Sequence, residues 1–206
     1  MGNSLTKFYV GALLAATICS ALAAQERARS EAFELNADSL TFNRQTNLLE
    51  ARHARIVRGN VRVEADESVA NGVDFEQSTE WRFKGHVKIN VDTAVLEAES
   101  AVFTFDSKQL SRADLEGAPA SFTDLASTQQ KPVSGGARKL TYDNVARTLE
   151  LSDDAWINKD EAEFRSCGLI YDFNVKRVTS GPTDCGVRLL LPQKLKPKAP
   201  PASPPQ

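Results

Sequence analysis

Trp81-Arg82-Phe83-Lys84-Gly85-His86-Val87-Lys88-Ile89-Asn90-Val91 places an apolar residue or glycine at every odd position and a polar or charged one at every even position. Successive side chains of a strand point to opposite faces, so this period of two predicts one strand with an apolar face and a cationic, solvated face. Working outward, Gly59-Asn60-Val61-Arg62-Val63 repeats the phrase Gly85-His86-Val87-Lys88-Ile89. Glycine inside a strand marks a bulge or bend, so both strands are expected to curve at a matched height. Gly117-Ala118-Pro119-Ala120-Ser121-Phe122 is a variant whose Pro119 requires an edge or a bulge.

The same organisation recurs along the chain as a loose repeat of hairpins. Units open at Ala37, Ala65, Ala98, Ala137 and, more weakly, Cys167. Leu40 and Phe42 precede a polar turn at 43–47, Phe103 and Phe105 precede Asp106-Ser107, and Leu140 and Tyr142 precede Asp143-Asn144. Tyr171 and Phe173 take this role in the fifth unit. Leu149-Glu150-Leu151 and Trp156-Ile157 have helical potential, but Asp153-Asp154 and the flanking alternation favour strands. The prediction is an all-β fold of ten or so short strands in stacked antiparallel hairpins.

Composition bounds the function. A chain of 206 residues, 41% hydrophobic and 25% charged, suits one domain with a real core, and a net charge of −2 offers no global basic field for nucleic acid. Residues 1–24 read as a signal peptide, with Lys7 before an uncharged apolar run and Ala21-Leu22-Ala23 at the cleavage position; an uncleaved anchor is the competing reading. Residues 25–191 form the β domain, and 192–206, rich in proline and lysine, read as a disordered extension. Export leaves Cys167 and Cys185, which are either a disulfide contributing roughly 3 kcal/mol or two buried thiols.

Catalytic and metal chemistry finds little support. The chain has two histidines, His53 and His86, far apart and on polar positions, so no metal cluster and no cofactor is expected. Ser134 lacks a GxSxG frame. Asp153 and Asp154 are expected to point to opposite faces, in a turn or at a solvated edge. Arg82, Lys84 and Lys88 form a basic row that reads as a solvated strand face.

The phrases Leu35-Asn36-Ala37-Asp38-Ser39-Leu40, Gly59-Asn60-Val61 and 117–122, followed by 133–143 and Ala155-Trp156-Ile157, resemble the lipopolysaccharide-transport periplasmic proteins of Gram-negative bacteria (LptA/OstA-like). The resemblance spans about residues 33–180. It departs from the family pattern at Asp153, where glycine is usual, at Ser166-Cys167, and over 71–80, which looks inserted. A membrane-anchored, LptC-like relative shares the fold. The resemblance implies a V-shaped β-jelly roll open at both ends, whose interior receives the acyl chains of lipid A. Its end strands would pair with LptC-like and LptD-like proteins of the same fold, or head to tail with further copies. Exposing one chain of a dozen carbons to water costs roughly 10 kcal/mol, so a carrier needs a continuous apolar lining. The lining candidates are Leu40, Phe42, Val61, Val63, Trp81, Phe83, Val87, Ile89, Phe103, Phe105, Leu140, Tyr142, Ile157 and Tyr171. A structural, self-associating β protein, with these residues simply as core, is the alternative.

Overall fold

The alternation around Trp81 becomes one member of a twelve-stranded antiparallel sheet. The structure, a computed structural model, describes residues 33–72, 79–106, 109–125, 131–181 and 185–192. The expected signal peptide and almost all of the expected tail lie outside these residues. In chain order the strands are β1 (Phe33–Asn36), β2 (Ser39–Asn43), β3 (Leu48–Arg58), β4 (Val61–Asn71), β5 (Thr79–Val91), β6 (Ala94–Asp106), β7 (Gln109–Asp124), β8 (Val133–Asp143), β9 (Thr148–Lys159), β10 (Ala162–Asp172), β11 (Arg177–Ser180) and β12 (Arg188–Leu190). From β3 to β10 each strand pairs with the next. Two strands more than expected arise because both edges are broken: β1 and β2 share β3, and β11 and β12 share β10.

Every long strand is interrupted near its middle, and the interruptions line up. Register shifts fall between Glu64/Glu67 and Lys84/Val87, between Glu97/Ser100 and Glu116/Ala120, and between Gly136/Lys139 and Ser166/Gly168. His53, Gly85, His86, Asp153 and Asp154 hold positive φ along this line, and the Ala118–Pro119 bond in it is cis. A bulge bends its strand, and a row of bulges creases the sheet. The five unit starts Ala37, Ala65, Ala98, Ala137 and Cys167 all lie at this crease, which is why the sequence repeats there.

The crease divides the sheet into two leaves that fold onto one another as a V-shaped β-jelly roll. An aliphatic leaf comprises β1, β12 and residues 54–58, 61–65, 87–91, 94–98, 120–124, 133–137, 155–159 and 162–166. Its inner face carries Ile56, Val63, Val87, Ile89, Leu96 and Ile157, all buried. An aromatic leaf holds β2, β11 and the other half of each strand. It contributes Trp81, Phe83, Phe103, Phe105, Tyr142, Tyr171 and Phe173, also buried. Large rings thus pack on smaller branched chains, and each such residue contributes about 1.5–3 kcal/mol by leaving water.

The leaves are displaced along the strand order. Phe33 of β1 meets Trp81 of β5 with ring centroids 5.4 Å apart, the Arg58 guanidinium at the end of β3 lies 5.9 Å from the Phe105 ring of β6, and Phe122 of β7 meets Tyr171 of β10 at 5.3 Å. Each contact steps three strands toward the C-terminal end of the sheet, as expected when two twisted layers cross rather than stack strand on strand.

Two local expectations are corrected. Gly59, with φ 57°, sits in the hairpin turn between β3 and β4 and not at a bend inside a strand, whereas Gly85, with φ 76°, is at the crease. Asp153 and Asp154 belong neither to a turn nor to an edge: both lie at the crease of β9, both left-handed and exposed, with Asp154 3.1 Å from Arg138.

Candidate functional site

The inner faces of the two leaves form one continuous apolar interior. Of the predicted lining residues, Val63, Trp81, Phe83, Val87, Ile89, Phe103, Phe105, Leu140, Tyr142, Ile157 and Tyr171 come together there, and all are buried. Phe83 and Phe103 meet edge to face at 4.9 Å, as do Tyr171 and Phe173. Val61 is half-buried at the margin of this cluster. Leu40 and Phe42 are exposed on β2, at 52% and 39%. The interior also includes Leu96, Leu115, Phe122, Leu149, Leu151 and Leu169, which the sequence reading left out of the lining. Their alternation within β6, β7, β9 and β10 is the signal that finds them.

Both ends of the roll leave inner-face residues uncovered. Leu40 and Phe42 pair in register with Ala51 and Leu49, whose side chains point inward, so Leu40 and Phe42 face inward too. At the other end Ile157 pairs with Phe164, and Phe164 with Leu189; Ile157 is fully buried, Phe164 partly, and Leu189 is 49% exposed. The three-strand offset accounts for this: the aromatic leaf extends past its partner at the β2 end, the aliphatic leaf at the β12 end. Cys167, at the crease of β10, is disulfide-bonded to Cys185, with Cα atoms 5.9 Å apart, and this bond returns the chain to place β12 along β10.

The mouth opposite the crease, where the tips of the leaves meet, is polar. Asp92, in the β5–β6 turn of the aliphatic leaf, accepts hydrogen bonds from Asn60 and from the Arg147 guanidinium of the aromatic leaf. Although burial works to raise it, these bonds and the Arg147 charge hold the Asp92 carboxyl below its ordinary range. Arg147 is correspondingly raised by its bond to Asp92. Asp124, fully buried at the end of β7, accepts from the Thr93 hydroxyl at 2.7 Å, from the Tyr171 hydroxyl at 2.8 Å, and from Lys176 of the aromatic leaf. Burial, with donation to Asp124, pushes the Tyr171 hydroxyl well above the usual tyrosine range. Lys159 donates to the Lys176 carbonyl, also across the mouth. No spacing in the sequence announces these pairs, since they join turns of hairpins distant along the chain.

Away from the mouth Ser68 is buried beside Phe83 on the inner face, while the histidines and the basic row face solvent. His53 Nδ1 lies 2.9 Å from Asp38 and His86 Nδ1 2.7 Å from Asp66, both on the outside of the crease. Arg82 pairs with Glu80 and Lys88 with Glu97, as a solvated strand face would. Among the described residues no group of three or more His, Cys, Asp or Glu side chains is placed to hold a metal ion.

Residues 62–177, more than half of the chain, match the family model described as LptA/(LptD N-terminal domain) LPS transport protein. The chain belongs to this family. The fold agrees with that of the crystal structure of LptH, the LptA-homologous periplasmic component of the lipopolysaccharide transport device of Pseudomonas aeruginosa. The TM-score is 0.52, identity 12%, and the match covers 80% of this chain and 98% of LptH. At that identity the likeness concerns the fold alone. No curated protein sequence matches the chain. Membership in this family makes the chain an LPS-transport protein, and the match runs from β4 to the start of β11.

Proposed function

We propose that this LptA-family protein is a periplasmic bridge component that shelters the acyl chains of lipid A between its two leaves as lipopolysaccharide passes from inner to outer membrane. One observation carries the reading. The inner face, apolar but for the buried Ser68 of β4, runs through the strand order and is uncovered at both ends, at Leu40 and Phe42 and again at Phe164 and Leu189. A lining that continues to the ends suits a conduit shared between successive modules. The broken edges suit strand addition: β12 with a neighbour's β1 on the aliphatic leaf, β11 with its β2 on the aromatic leaf. Such neighbours are LptC-like and LptD-like proteins of the same fold or further copies of this chain. The Cys167–Cys185 bond fits an oxidising compartment. Because the interior is filled by its own side chains, acyl chains enter as the leaves part. No catalytic step is required.

A photo-crosslinking residue placed at Phe83 or Ile89 is expected to capture lipopolysaccharide in cells. A folded protein that fails at both positions overturns the reading. The close packing of the interior favours a second reading, a self-associating structural protein, which predicts polymerisation with no lipid label at either position.

A further inference from the structure

We propose that Arg147 and Lys176 form a phosphate-binding subsite at the mouth of the roll, masked by Asp92 and Asp124 until an acylated phosphoglycolipid parts the leaves. The inference rests on the lipid-carrying reading above and adds the group that is recognised and the place of entry.

Three observations converge. First, two ion pairs across the mouth share one polarity: Arg147 and Lys176 belong to the aromatic leaf and Asp92 and Asp124 to the aliphatic leaf, while the aliphatic-leaf cations Arg58 and Lys159 reach across to the Phe105 ring and the Lys176 carbonyl. Separating the leaves therefore strips two cations of their carboxylates together. A phosphate monoester restores what each loses, because it offers several anionic oxygens to a guanidinium or ammonium. Second, Asp124 is fully buried but Lys176 is one-third exposed, and Arg147 is likewise partly open to solvent. At Lys176 an incoming anion thus reaches the cation before its acid has moved, while Arg147 and Asp92 are both partly open to it. Third, a cavity of about 470 Å³ opens between the leaves beside Lys176, lined by Lys159, Phe164, Val175, Arg177 and Val178. It is a cleft open to solvent, with three cations, Lys159, Lys176 and Arg177, beside three apolar side chains. Phe164 is part of the uncovered inner face, so this cavity joins the mouth to the conduit end. An amphiphile with an acyl chain against Phe164 and Val178 and a phosphate toward Lys176 fits both surfaces.

Exchange of partners predicts opposite signs for the two members of each pair. Asp92→Asn or Asp124→Asn unmasks a cation, while Arg147→Gln or Lys176→Gln loosens the same contact but removes the site. The full chain and these variants are titrated with diphosphoryl lipid A, with monophosphoryl lipid A and with inorganic phosphate, with thermal unfolding as the check of folding. The acid variants are expected to bind diphosphoryl lipid A about three- to tenfold more tightly and the cation variants to lose a similar factor. The cation variants should also lose the preference for the diphosphoryl form, and Lys176→Arg should retain it. If Asp124→Asn fails to fold, Asp92→Asn, whose carboxylate is partly exposed, carries the comparison. Acid and cation variants shifting affinity in the same direction, or no distinction between the two lipids, overturns the subsite while leaving the carrier intact. Inorganic phosphate binding as tightly as the lipid also overturns it, by assigning the site to free phosphate. A wild-type chain that binds neither lipid overturns the carrier reading itself.

Discussion

His86 Nδ1 and Asp66 Oδ2 lie 2.7 Å apart across neighbouring strands at the crease, next to the one glycine there with positive φ. The hydrogen bond and the charge of Asp66 raise the His86 pKa above its ordinary value of 6.5, with burial hardly opposing. A raised folded-state pKa stabilises the fold fully below the unfolded value, and that contribution fades as pH rises through the folded one. An NMR titration of the His86 ring should therefore give a midpoint above 6.5 that falls in Asp66→Asn. The contribution to stability is small because the imidazole is almost fully exposed.

Gly85 is expected to tolerate no side chain. Its φ is +76°, and an added Cβ would lie 2.9 Å from Asp66 Cβ, closer than real atoms approach. Gly85→Ala should destabilise by about 1–3 kcal/mol in denaturant unfolding. Gly186→Ala, with nothing within 4 Å, should leave the midpoint unchanged.

Two aromatic residues of the predicted lining should separate cleanly. Phe103 is fully buried, so Phe103→Ala should lower unfolding stability by about 3–5 kcal/mol. Phe42 is 39% exposed on the β2 edge, and Phe42→Ala should change monomer stability by no more than about 0.5 kcal/mol. Any effect of Phe42→Ala on self-association, measured by sedimentation, then reports on the edge and not on the core.

Removing the disulfide should act locally. β12 is exposed throughout and pairs with only Glu163, Phe164 and Arg165. Cys185→Ser should raise hydrogen exchange at 188–190 while protection of β5, β6 and β7 stays as it was. The loss of stability should remain below the roughly 3 kcal/mol of the chain-entropy model, because the loop closed is at the end of the sheet.

Much of the fold was legible because alternation is a local property. Trp81, Phe83, Val87, Ile89 and Val91 announce an inner face whatever lies opposite, and the repeated starts at Ala65, Ala98 and Ala137 mark the crease before its geometry is known. Gly59 and Gly85 show the limit. Both occupy positive φ in the same phrase, yet one turns a hairpin and the other creases a strand, since both tasks need the same backbone conformation. Asp92 with Arg147 and Asp124 with Lys176 were illegible for a different reason: their meeting depends on the three-strand offset, which only the packing of two twisted layers determines. The division of the apolar positions between buried Phe103 and exposed Phe42 follows from the same offset.

The aligned crease bears on how the roll moves. Among the described residues each ladder runs along one leaf, stops at the crease and resumes on the other, so the inter-strand amide bonds lie within a leaf and never join the two tips. Swinging the tips apart therefore breaks no ladder bond. What resists it is side-chain contact: non-directional packing across the interior, which an inserted hydrocarbon can replace as it arrives, and the ion pairs and hydrogen bonds of the mouth, which need a polar partner in exchange. The backbone can behave as two stiff plates on a flexible spine, and opening the molecule need not unfold it.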